Sequence, residues 1–133
     1  MAFASIRIIT DDVARLTGFY ELVTGETAVR TGDVFAQLSW PGVNLAIGST
    51  RTVAMIPGAS EPAANRSVII EFRVDDVDAE FERLHDAVPE VVLPPTDMPW
   101  GNRSTLLRDP DGNLVNLFAP TSLSTPASTP FGS

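Results

Sequence analysis

The feature that most restricts this chain is that it repeats itself. Asp11-Asp12-Val13 recurs as Asp75-Asp76-Val77, 64 residues on, and Pro41, Asn44 and Leu45 recur as Pro110, Asn113 and Leu114, 69 residues on. The order of elements around these matches repeats as well. Two copies of one pattern at this spacing point to a duplicated module whose copies pair about a pseudo-twofold axis.

In the first copy, Ser5 to Ile9 is a short β-rich run leading into Thr10-Asp11-Asp12, side chains that cap a helix N-terminus. Val13, Leu16, Phe19 and Val23 then recur at helical spacing, and Gly25 stands where a C-terminal glycine cap belongs. Three strands are expected near Thr27–Arg30, Val34–Trp40 and Val43–Gly48, with Pro41-Gly42 turning between the last two. In the second copy, Ser67 to Val74 reads as a strand, and Asp75-Asp76 cap a helix carrying Val77, Phe81 and Leu84 on one face. Strands are expected at Glu90–Leu93, Arg103–Arg108 and Asn113–Phe118, the last two joined by the turn Asp109-Pro110-Asp111-Gly112. The expected organisation is one α+β domain over residues 1–120, with a first βαβββ module at 3–55, a linker at 56–66 and a second module at 67–120. The Ser-, Thr- and Pro-rich stretch 121–133 is expected to be a flexible tail.

Composition narrows the chemistry. The absence of cysteine removes disulfides, thiolate catalysis and cysteine metal sites. The formal net charge is −8, and all nine basic residues are Arg. An acidic surface repels a phosphate backbone, so nucleic acid is not an expected partner. No apolar run has the length of a membrane span, and the first ten residues lack the pattern of a signal peptide. The expectation is a cytoplasmic protein without membrane partners.

The run DDVARLTGFYE from Asp11, and above all PWGNRSTLLRDPDGNLVNLF from Pro99 to Phe118, resemble the vicinal oxygen chelate superfamily, the glyoxalase and bleomycin-resistance group. The resemblance covers about residues 3 to 120. It implies two βαβββ modules forming a cupped mixed sheet with helices on the outer face, often completed in a homodimer around a small-molecule cavity. In metal-dependent members four strand positions supply His, Glu or occasionally Gln to a divalent ion. Here those positions fall on Ser5, Ile69, Asn116 and, by the internal offset, Ile47; an alignment shifted onto the preceding strand selects Gln37 instead. None of these is a carboxylate or an imidazole, which such ions need. No metal and no other cofactor is therefore expected.

Strand alternation then selects the residues facing the cavity. Val68, Ile70, Phe72 and Val74 form a continuous apolar face suited to packing on the helices, which leaves Ile69, Glu71 and Arg73 for the other face. The same logic gives Ser5, Arg7 and Ile9 on the first strand, and Leu114, Asn116 and Phe118 on the last. Arg7, Glu71 and Arg73 against apolar walls suit a binding site, or equally an internal ion-pair network. Glu71 is the best placed general base if there is chemistry, because burial would raise its pKa. Trp100 and Arg103, in and beside a Pro-rich loop, offer a stacking surface and a charge for a ligand, while Trp40 at a hairpin corner reads as structural. The single His, His85, reads as a solvated helix-end residue, and the acidic cluster from Asp75 to Glu82 as a capped helix start.

Three functions follow from this reading. The favoured one is a metal-free protein that captures a small organic ligand, such as an antibiotic, without turning it over. The second is an enzyme, a lyase, isomerase or dioxygenase, using a carboxylate such as Glu71 or a non-standard metal set. The third is a structural or regulatory domain that only dimerises or is the remnant of an enzyme.

Overall fold

The computed structural model describes residues 1–121, and the residues form two compact units dividing after Asn65. The expected tail therefore lies, apart from Thr121, outside the described residues. Thr121 itself is tied by its backbone N–H to the carbonyl of Gly101 at 2.9 Å.

The first unit runs β1 (Ser5–Thr10), α1 (Val13–Thr24), β2 (Val29–Thr31), β3 (Phe35–Trp40) and β4 (Val43–Ser49), then a single 3-10 turn at Thr50–Val53. Its sheet has the order β1-β4-β3-β2, with β1 parallel to β4 and the other pairs antiparallel. The Asp12 side chain accepts from the Arg15 backbone N–H, satisfying one of the donors a helix start leaves unpaired. Gly25, at φ 75°, closes the helix by donating to the Glu21 carbonyl. Between these caps Leu16, Phe19, Tyr20 and Val23 are buried, and α1 packs on β3 and β4, where Ala36, Leu38, Leu45 and Ile47 are buried too. The spacing predicts this apolar stripe; only the 3-10 turn was not anticipated. It is built from Ser49, whose hydroxyl accepts from Arg51 N–H, and Thr52, whose hydroxyl donates to the Ser49 carbonyl.

The second unit repeats the plan as β5 (Ile69–Arg73), α2 (Val77–Leu84), β6 (Glu90–Asp97), β7 (Asn102–Arg108) and β8 (Leu114–Pro120). The sheet order is β5-β8-β7-β6, with β5 parallel to β8. Asp76 caps α2 as Asp12 caps α1, accepting from the Ala79 N–H. His85 stacks on Phe81 at the far end of this helix, with ring centroids 5.1 Å apart. The helix lies against β6, β7 and β8, over buried Leu107, Val115 and Leu117.

The turn from β7 to β8 is organised by a buried carboxylate. Asp109 Oδ1 accepts from the N–H groups of Asp111 and Asn113, both at 2.9 Å, and Oδ2 accepts from Asn113 Nδ2 at 2.8 Å. Gly112, at φ 84°, supplies the left-handed step this turn requires.

Strand β6 is longer than its composition suggests, because it continues through Pro94 and Pro95 to Asp97. The register against β7 slips at Val92, between Val91 and Leu93, and again between Leu93 and Thr96, where the two prolines have no N–H for the ladder. As the outer strand of its sheet, β6 tolerates this interruption.

Candidate functional site

Each sheet has a helix-bearing face and an open face, and the register decides which side chain stands on which. In the second unit Ile69 pairs with Leu114, Glu71 with Asn116 and Arg73 with Phe118. Partners across a ladder share a face, so these six lie together on the open side. The pairing of β7 with β8 continues the set through Ser104, Leu106 and Arg108. At its centre Asn116 Nδ2 donates to Glu71 Oε2 at 2.9 Å. An ionised carboxylate only accepts, so this bond turns the amide oxygen of Asn116 away from Glu71. That oxygen is buried and has no hydrogen-bond partner among the described residues; the same is true of Asn102 Oδ1 at the start of β7. Around the polar pair stand Ile69, Leu106, Leu114 and Phe118. Glu71 itself is exposed, so the burial that argued for it as a base is not found.

Arg103 does not join this face. It pairs with Ala119, one step out of phase with Phe118, and reaches the helix side. Its Nε and Nη2 donate to Asp78 in the first turn of α2 at 2.7 and 2.8 Å, and its Nη1 donates to Asp97 of β6 at 3.0 Å. The Arg103 guanidinium holds the Asp78 carboxyl below the usual carboxylate range, and the two carboxylates raise the guanidinium's own pKa. Arg103, expected to offer a charge to a ligand, thus stands on the other face from Glu71, where its charge ties a strand to a helix. Trp100 is 43% exposed, in the turn before β7 that is closed by Gly101 N–H on the Met98 carbonyl. Trp40 is half-buried and pairs with Val43 at the β3–β4 hairpin.

In the first unit Ser5 pairs with Asn44, Arg7 with Ala46 and Ile9 with Gly48, so Ser5, Arg7 and Ile9 share a face. Gln37 pairs with Ala46 and belongs to it as well. Ile47 does not. It pairs with Ile8 and Ala36 and is fully buried on the helix-bearing side. The cause is a one-residue slip. The match of Asn44 with Asn113 aligns the two turns, but in the ladders Asn44 corresponds to Leu114, each being opposite the first residue of the parallel partner strand. A slip of one residue moves a side chain to the opposite face. The first-unit counterpart of Asn116 is therefore Ala46.

These residues do not fit a divalent ion. Ile69 and Ala46 carry no donor atom, and Ser5 and Asn116 are neutral ligands. Among the described residues no group of three or more His, Cys, Asp or Glu side chains is placed to hold a metal.

Two successive units of this topology narrow the family, and a comparison with family models decides it: the model for the Glyoxalase/Bleomycin resistance protein/Dioxygenase superfamily matches residues 2–117. The chain belongs to that superfamily. Within it, the chain is 26% identical over 125 residues to YraH of Bacillus subtilis (strain 168), covering 89% of this chain and 98% of that protein. A glyoxalase/bleomycin resistance protein/dioxygenase from Nocardioides is similar in structure, with a TM-score of 0.74 and 26% identity over 95% of this chain and 87% of its own. A superfamily enzyme from Burkholderia phytofirmans PsJN shares the fold at a TM-score of 0.79 and 19% identity, over 90% of this chain and 99% of its own. No helix among the described residues of this superfamily member is long and apolar enough to cross a membrane.

Four residues of the open face, Asn102, Ser104, Leu106 and Arg108, are not reached by the sequence reading. All four lie on β7, and extending the alternation of Asn116 across the ladder, to Leu106 and then two residues each way along β7, selects Arg108 directly and Asn102 at the next step beyond Ser104.

Proposed function

We propose that this protein binds a small organic molecule on the open face of its second sheet without a resident metal ion, as a cytoplasmic homodimer. Sequestration of an antibiotic or comparable compound is the reading we favour, in a superfamily whose name includes bleomycin resistance proteins. The observation that carries it is the bond from Asn116 Nδ2 to Glu71 Oε2, a fixed polar pair set among Ile69, Leu106, Leu114 and Phe118. A few oriented polar groups within an apolar lining are what a ligand site needs. The carboxylate and the acidic net charge suit a cationic ligand. Arg73 and Trp100 are proposed as further contacts, as are Ser5 and Arg7 for the open face of the first unit.

Calorimetric titration with cationic aromatic antibiotics tests this reading. Saturable one-to-one binding without product is expected, and Glu71→Gln should weaken it roughly tenfold or more, as loss of a charged hydrogen-bonding partner does. Equal affinity in the variant would refute the assignment.

The same bond favours one other reading, an enzyme in which Asn116 orients Glu71 as the base. Mass spectrometry of each bound ligand after incubation separates the two: turnover that disappears in Glu71→Gln belongs to the enzyme, and unchanged ligand to the binder.

A further inference from the structure

We propose that a cleft beside the β7–β8 turn is an anion subsite, which seats a carboxylate or phosphate group on Arg108. The cleft holds about 440 Å³ and is lined by Arg66, Pro89, Glu90, Arg108, Asp109, Pro110 and Gly112. Neither Glu71 nor Asn116 lines it, although Arg108 shares their sheet face through its pairing with Leu114, so the inference does not rest on the polar pair proposed above.

Arg108 ends β7, and in the ladders its cross-strand neighbours are Glu90 and Leu114. Opposite charges placed directly across a ladder ordinarily pair. Here the guanidinium turns elsewhere: Nη1 donates to the carbonyl of Gly112 at 3.1 Å, its one hydrogen bond among the described residues. A backbone carbonyl orients the fork without neutralising it. The Nε and Nη2 donors of this half-buried side chain remain for a further acceptor.

The acid closest in sequence does not serve as that acceptor. Asp109 is 2% exposed, and its two oxygens receive three donors from Asp111 and Asn113 within the turn. Its charge is committed to holding the hairpin. Pro89 and Pro110 contribute walls without N–H groups, and Arg66, which has a partner of its own, also lines the cleft. A guanidinium fork with spare coplanar donors matches a planar carboxylate or a phosphate oxygen pair better than it matches a neutral ligand.

The test is a ¹H–¹⁵N NMR titration of the full chain with inorganic phosphate and, separately, acetate, at constant ionic strength set by chloride. Saturable shifts are expected at Arg108 Nε and at the amides of Asp111, Gly112 and Asn113. The ion that saturates first identifies the anion class. Arg108→Met, which keeps the aliphatic stem, should abolish saturation at these positions. Glu90→Gln removes a neighbouring negative charge at an exposed position and should tighten binding several-fold. Arg108→Lys keeps the charge but loses the fork, and should bind at least several-fold more weakly than the wild type. Shifts that never saturate, saturation that survives in Arg108→Met, or binding unaltered by Glu90→Gln would each overturn the subsite and leave adventitious ion binding only.

Discussion

Arg103 and Asp78 form a two-point ion pair between β7 and the first turn of α2, with Nε to Oδ2 at 2.7 Å and Nη2 to Oδ1 at 2.8 Å. The pair stands at the solvent boundary, with side-chain exposures of 34% and 57%. Salt and pH therefore govern it. Asp78 is held below its ordinary carboxyl value, so its protonated form is disfavoured in the folded chain. Stability from this source is present above the unfolded-state value and is lost as pH falls through the folded one. In a double-mutant cycle of Arg103→Ala and Asp78→Ala, the coupling should be positive at pH 7. It should shrink in high salt and vanish in acid. Coupling that persists at low pH would show that packing, not charge, joins the two elements.

Asp109 should matter more to stability than any surface charge. Asp109→Ala leaves the Asn113 N–H and amide buried without their acceptor, a loss of about 3 kcal/mol. Asp109→Asn retains one acceptor oxygen and should lose roughly half as much. Urea denaturation midpoints at unchanged slope check both values.

Gly48 is predicted to tolerate no side chain. A Cβ there would meet Thr52 Oγ1 at 2.7 Å and Arg7 Cδ at 3.3 Å. Because that hydroxyl is bonded to the Ser49 carbonyl, it cannot move without losing its acceptor. Gly48→Ala should destabilise by about 2 kcal/mol, and adding Thr52→Ala should recover part of the loss. Thermal melts of the single and double variants decide the matter; equal loss in both would place the clash elsewhere.

Asn116 separates function from stability. Its Oδ1 is buried without a partner among the described residues, an arrangement that disfavours the folded state. Asn116→Leu should raise stability by about 1 kcal/mol while weakening ligand binding at Glu71. A variant that is destabilised, or binds ligand as before, would refute the role proposed for the amide.

Elemental analysis of the purified protein should find no stoichiometric transition metal, and divalent ions should leave its melting temperature unmoved. A metal that binds N but not U would raise that temperature. A bound equivalent of metal would overturn the donor-set argument built on Ser5, Ile69 and Asn116.

Much of the architecture was legible in the sequence because local chemistry and tertiary packing agree. Asp12, Gly25, Asp76 and Gly112 each mark a cap or turn that the structure uses as read. The set Ile69, Glu71 and Arg73 was legible for the same reason, since strand alternation leaves only two faces. Ile47 was misplaced because identity between turns is not identity of register, and the two differ by one residue here. The face and ion pairs of Arg103 were not legible because a Pro-rich loop precedes it and conceals where the strand's phase begins. The long β6 was hidden by Pro94 and Pro95, which a propensity argument reads as an ending and an outer strand accommodates.

Those two prolines also protect the outer edge of the second sheet. Consecutive residues of a strand direct their N–H groups to opposite sides, so adjacent prolines delete one donor toward β7 and one toward solvent. An incoming strand laid along β6 would find its ladder broken midway. Lateral extension of this sheet past β6, by a partner strand or in aggregation, is thereby disfavoured.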